Sequence, residues 1–179
     1  MTADNIQLDI NLEETGWDEE LPGAGDLVQR CLQKVVAGTA EGKVLAEFPH
    51  LELSILLTGD KSIQVLNREY RGKDKATNVL SFPALSDEEI EDYFHRGAIL
   101  PDYPVSLGDI ILALETVKSE AISSGKSLEN HFCHLVVHGI LHLLGYDHQN
   151  DADAEEMEGL EKAILGTLGI DDPYDEMST

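Results

Sequence analysis

The 179-residue sequence is short of cysteine, of aromatic residues and of positive charge. Its two cysteines, Cys31 and Cys133, stand far apart and form no C-x-x-C pair. A disulfide scaffold and a cysteine-held zinc knuckle are therefore not expected. No apolar run approaches the ~18–20 residues of a membrane-spanning helix, so no membrane partner is expected. The start, Met1-Thr2-Ala3-Asp4, has neither the basic region nor the apolar stretch of a secretory signal. The expectation is a reduced, soluble, cytoplasmic protein. Twelve Lys+Arg against 35 Asp+Glu leave a net charge of −23, which argues against indiscriminate nucleic-acid binding.

A hydrophobic fraction of 42 % over this length is enough for one core, so a single domain over 1–179 is expected. The scarce cations are unevenly placed. Lys61, Arg68, Arg71, Lys73 and Lys75 fall in one window that is locally +3, against −26 elsewhere. Such a window is either a solvated helix face and turn or a phosphate-binding patch on an acidic body.

Residues 5–11 alternate apolar and polar, which predicts a strand. A loop over 12–25 leads to a helix at 27–38 with Asp26 as its cap. Strands are expected at 43–48 and 51–57, and a helix at 61–71 ended by Gly72. A strand at 77–83 precedes an acidic surface excursion over 86–104. A strand at 105–113 and helices at 115–124 and 127–144 follow. Asp151 or Asp153 is expected to cap a last helix to about 168, before an acidic, mobile tail at about 169–179. The order implies an α+β fold, a small mixed sheet packed with helices.

The densest chemistry lies in His138-Gly139-Ile140-Leu141-His142-Leu143-Leu144-Gly145-Tyr146-Asp147-His148. At ~100° per residue, His138 and His142 lie within about 40° of each other on one helix face. Two imidazoles so placed can bind one metal ion. Gly145 allows a sharp turn that can return His148 as a third ligand. Three neutral imidazoles with one open position is the arrangement of catalytic zinc. The metzincin signature, H-E-x-x-H-x-x-G-x-x-H, has the same register. Here Gly139 replaces the peptidase's glutamate base, so the ligand set is kept and that base is missing. His131 and His134 share the helical stripe. His134 is either a competing ligand or a residue that packs behind the ligands. Asp147 either orients a ligand imidazole or serves as a loop residue or cap.

The block His138-Gly139-x-x-His142-Leu143-x-Gly145-Tyr146-Asp147-His148 resembles the signature of the YbeY family of metal-dependent endoribonucleases. A second block agrees with it: Leu66-Asn67-x-x-Tyr70-Arg71-x-Lys73-Asp74-x-x-Thr77-x-Val79-Leu80-Ser81-Phe82-Pro83. A third, Leu107-Gly108-Asp109-Ile110, resembles the family's strand after the excursion. Ala76 and Asn78 depart mildly from the commoner Pro and Asp, and 86–104 is longer than the family's usual connection. The resemblance implies a zinc-dependent endoribonuclease acting in ribosomal RNA maturation, at the 16S rRNA 3′ end, and in ribosome quality control. It implies a histidine helix lining a cleft, and it carries over a functional arginine at Arg71.

The chemistry of the residues is compatible with that. A bound metal lowers the pKa of water and polarises a phosphoryl oxygen. A guanidinium can meet the charge of a phosphodiester transition state, although Arg71 could equally be an ordinary surface arginine. Lys73 and Lys75 are candidate RNA contacts. Either a metal-activated water or the RNA's own 2′-hydroxyl could attack, and single-stranded RNA enters a cleft more easily than a duplex. Imidazole ligands suit zinc, nickel and copper alike. The acidity calls for a ribosome or ribosomal-protein partner to present the RNA. Two rivals remain: a three-histidine hydrolase of another class, such as a peptidase, and a non-enzymatic ribosome-associated factor with a structural metal.

Overall fold

The computed structural model describes residues 4–174. The alternating apolar residues form β1 (Ile6–Leu12) and β2 (Leu51–Thr58), with Leu51, Leu53, Ile55 and Leu57 all buried. With β3 (Val79–Pro83) and β4 (Val105–Ala113) they make a sheet of order β1-β2-β4-β3. β1, β2 and β4 run parallel, and β3 lies antiparallel on the β4 edge. Around the sheet lie α1 (Gly16–Glu20), α2 (Ala24–Gly38), α3 (Gly42–Glu47), α4 (Asp60–Arg71), α5 (Asp87–Ile90), α6 (Leu114–Ser123), α7 (Leu128–Leu143) and α8 (Asp151–Thr167). This is the expected α+β arrangement, a mixed sheet packed with helices.

Successive residues of a strand face opposite sides, and this divides the packing. Ile110 and Leu112 of β4 enter the main core with Val28, Leu32 and Val36 of α2 and Phe132, Val136 and Ile140 of α7. Ile111 and Ala113 face the other way and join Ile63 of α4 and Leu80 of β3 in a smaller cluster. The α7 helix, buried along most of its length, packs against α2, α6, α8 and β3. The α4 helix covers part of the opposite face. β3 is the edge strand that both helices touch: α7 packs on it, and Arg71 at the end of α4 bonds its Ser81.

Four local expectations need correction. Residues 42–47 are helical rather than a strand: Gly42 and Leu45, three apart, are the buried positions, which is a helical period. The Thr39 hydroxyl accepts from the Gly42 N–H at 3.1 Å and starts the turn. α2 begins at Ala24, so Asp26 sits in its first turn and is not its cap. The cap of α8 is Asn150, whose side-chain oxygen accepts from Asp153 N–H at 2.9 Å. Asp151 and Asp153 instead lie in the first turn, where the helix dipole favours them. The stretch 12–25 contains α1, whose Trp17 is buried against Phe132.

The excursion at 86–104 is folded onto the body. Ser86 and Glu89 form a reciprocal cap on α5, and Phe94 packs near Phe48. At the other end, Lys126 Nζ donates to Pro173 O at 2.9 Å, and Ile170 packs on the main core. Residues 175–179 of the expected tail lie outside the described residues.

Candidate metal centre and its cleft

The α7 helix places His138 and His142 one turn apart, with their Nε2 atoms 3.0 Å from each other. Gly145 then takes φ +102°, a left-handed conformation that side-chain-bearing residues avoid. Its N–H donates to His142 O, and Tyr146 N–H donates to Leu141 O, which closes the helix end. The turn brings His148 back, so that one ring nitrogen from each of His138, His142 and His148 lies within 4.8 Å of the others. Two nitrogens on one tetrahedral ion at ~2.1 Å stand about 3.4 Å apart, so the three donors fit a single ion. Among the described residues this group has three donors and no fourth protein ligand, which fits an open position.

The turn is pinned on both sides. The Tyr146 hydroxyl donates to Glu41 Oε1 at 2.7 Å, and Glu41 is buried. Asp147 Oδ1 accepts the His148 N–H at 2.8 Å and lies 3.9 Å from His148 Nδ1. Burial pushes the His142 pKa down to about 4, assisted by the neighbouring His138 and His148. The neutral imidazole that results is the ligating form.

Sequence reasoning missed the group behind the histidines. Glu161 of α8 has no solvent exposure. One of its oxygens accepts from His138 Nδ1 and the other from the Tyr174 hydroxyl. Burial alone would raise its pKa. The neighbouring His134 and the hydrogen bonds from His138 Nδ1 and the Tyr174 hydroxyl outweigh that and hold it at about 2. With Nδ1–H committed to Glu161, His138 keeps its Nε2 lone pair for the cluster. One signal was available. Glu161 shares a helical stripe with Met157, Ile164 and Leu165, and an acid among apolar residues at that period marks a paired, buried carboxylate.

His134 stands outside the three-nitrogen group, its Nε2 3.2 Å from the Tyr174 hydroxyl and 3.6 Å from Glu161 Oε2. His131 is further back and pairs with Glu120 at 2.8 Å.

Opposite the histidines lies the basic window. Arg71, at the end of α4, donates from Nη2 to Ser81 O on the edge strand at 2.9 Å. The turn after it is held by buried Asn67, which accepts from Lys73 N–H through its carbonyl and donates to Lys75 O at 2.9 Å. One cleft of about 580 Å³ is lined by Arg71, Lys73 and Lys75 and by His138, His142 and His148. Arg68 is paired with Glu69 and Asp74 at 3.3 and 3.9 Å. Among the described residues, no carboxylate pairs with Arg71, Lys73 or Lys75. Ile90, from the excursion, meets Gly145 and completes the rim.

Gly139 has a packing reason. A Cβ there would stand 3.0 Å from Ile110 Cδ1 and 3.1 Å from Ser81 Oγ. The residue faces the sheet, and any side chain there would press on Ile110 and Ser81 and require them to shift by a few tenths of an ångström.

The chain is similar to known proteins along most of its length. The family described as Endoribonuclease YbeY matches residues 16–169. Endoribonuclease YbeY of Paramagnetospirillum magneticum is 47 % identical over 171 residues, covering 96 % of this chain and 97 % of that protein. Endoribonuclease YbeY of Rhodospirillum rubrum is 49 % identical over 172 residues, covering 94 % and 82 %. The solution structure of TM1509 from Thermotoga maritima is similar in fold, with a TM-score of 0.50 and 22 % identity over 94 % of this chain and 99 % of that one.

Proposed function

The chain belongs to the YbeY endoribonuclease family, and from that premise we propose that it is a zinc-dependent enzyme that cuts single-stranded RNA. Its place is ribosomal RNA maturation at the 16S rRNA 3′ end, and ribosome quality control, in the cytoplasm. One observation carries the reading: a single cleft holds three clustered imidazole nitrogens and three cations that, among the described residues, have no carboxylate partner.

A divalent ion held by His138, His142 and His148 would supply positive charge for a phosphoryl oxygen and lower the pKa of water. Zinc suits three imidazoles, as nickel and copper also do. Glu161 keeps the His138 proton on Nδ1. Asp147 and Tyr146 hold the turn that presents His148. His134 acts through Glu161 and Tyr174 and is not a ligand. Arg71, steadied on Ser81 O, meets the charge that gathers on the phosphodiester. Lys73 and Lys75 grip flanking phosphates. The attacking hydroxyl comes from water or from the RNA's own 2′ position, and a 2′,3′-cyclic phosphate product identifies the latter. A body of charge −23 repels free RNA, so the ribosome or a ribosomal protein presents the substrate.

The test is cleavage of single-stranded RNA by the purified protein, after chelation, and after zinc restoration. A His142→Ala control accompanies it. Cutting should stop on chelation, return with zinc, and fall in the control by roughly a thousandfold, about 4 kcal/mol of barrier. Full cutting by the control would overturn the assignment. Loss of the thermal unfolding transition on chelation would favour a structural metal and the non-enzymatic reading instead. Gly139, which stands where a peptidase of this register carries its glutamate base, weighs against a peptidase.

A further inference from the structure

Tyr70, Phe82 and Asp109 lie in the sequence blocks that resemble the endoribonucleases, yet none of them lines the metal cleft. Tyr70 is 71 % exposed on an acidic protein with few aromatic residues. Its ring stands 5.4 Å from that of Phe82, at 61° between planes. The Arg71 guanidinium carbon lies 5.6 Å from the centre of the same Phe82 ring. The two rings and the cation thus form one platform around the edge strand, on the α4 side of the sheet.

The platform joins two openings. Arg71 and Lys73 line both the metal cleft and a shallow groove whose other walls are Tyr70 and Phe82. Tyr70 and Phe82 also wall a hollow of about 470 Å³ floored by Leu56, Leu66 and Ile111. Its polar lining is Asp109, the cross-strand neighbour of Phe82, with Ser54 and Asn11 on the next two strands. A path therefore runs from the histidines, past Arg71 and Lys73, over the edge strand and onto the exposed Tyr70 ring.

We propose that this hollow is a nucleobase subsite: a base of the single-stranded RNA stacks on Tyr70 and Phe82 while its neighbouring phosphate lies on Arg71 and Lys73. The proposal rests on the ribonuclease reading of the cleft and extends it to one nucleotide beyond the reacting phosphate. The chemistry of the path selects the occupant. A chain that alternates anionic and flat aromatic groups matches adjoining cations and aromatic rings. Stacking is tolerant of base identity because every base offers a π-face. Asp109 can accept from a base N–H, and Asn11 and Ser54 can both donate and accept, so the polar lining can meet the edge of any base.

The test uses the zinc-loaded full chain and a labelled single-stranded RNA, intact or with one base removed at successive positions. Tyr70→Ala is expected to raise KM by about 5- to 50-fold, with kcat within about twofold and zinc content unchanged. Tyr70→Phe should keep KM within about twofold, because the ring is retained. One abasic position should raise the wild-type KM by a similar factor and add nothing in Tyr70→Ala. An unchanged KM in Tyr70→Ala overturns the subsite and leaves the hollow to a protein segment. An abasic penalty equal in both proteins also overturns it. If the wild type cuts no RNA in the presence of zinc, either alone or with ribosomes added, the ribonuclease reading fails and the subsite falls with it. A wild type that cuts while Tyr70→Ala matches it removes the subsite alone.

Discussion

Glu161 behind the histidines is fully buried, whereas Arg71, Lys73 and Lys75 across the same cleft are exposed. The histidine wall is fixed from several directions. Glu161 holds His138, Tyr174 holds Glu161, and Glu41 holds the turn through Tyr146. The cationic wall is held more lightly, by Asn67 on the backbone of Lys73 and Lys75 and by the Arg71 side chain on Ser81 O. The difference matches two tasks. A metal ion needs donors placed to a few tenths of an ångström, and desolvated hydrogen bonds supply that. A polyanion needs charge that is free of competing carboxylates and able to follow a flexible chain. Changes on the two walls should therefore leave different signatures.

The largest effect is expected at the point where the walls meet the reacting phosphate. Arg71→Ala should lower kcat by about 100- to 1000-fold, as loss of one transition-state donor does, with zinc content unchanged. Single-turnover cleavage at saturating RNA measures this. Full kcat would move Arg71 from transition-state work to the bland role of a surface cation. Glu161→Gln should act on the opposite wall and in the opposite manner. It should weaken metal affinity by about 10- to 100-fold, read by chelator competition, while protein saturated with zinc regains most of its kcat. An unchanged affinity would make Glu161 a packing residue and erase the contrast between the walls.

How much of this was readable in the sequence follows the range of the contacts. The histidine group lies within eleven residues, and helical period plus Gly145 brings its members together locally. The basic window is likewise one helix end and one turn. Glu161, Tyr174 and Glu41 are brought in by tertiary packing from other elements, and no local pattern ties them to the histidines. Only the acid on the apolar stripe of α8 hinted at one of them. The strand expected at 43–48 failed because six residues with one apolar cluster fit either period, and the burial of Gly42 with Leu45 decides for the helix. The excursion at 86–104 reads as polar surface, yet Ile90 closes the cleft against Gly145, a contact that its own composition could not announce.

The smallest effect expected is also the one that most sharpens the contrast, because it separates charge from chemistry. Each phosphate neutralised on a single strand contributes about 0.7 to the slope of log affinity against log salt. If Lys73 and Lys75 each hold one phosphate, the double change Lys73→Gln, Lys75→Gln should reduce that slope by about 1.4. Affinity at low salt should fall with it, while kcat at saturating RNA and zinc content stay near wild type. Glu161→Gln should leave the slope untouched, since it removes no cation that faces the cleft. An unchanged slope in the lysine variant would return both residues to a solvated turn. The exposed wall would then hold RNA through Arg71 alone, a single cation on a body of charge −23. Productive capture of free RNA would in that case fall to the ribosome-bound state.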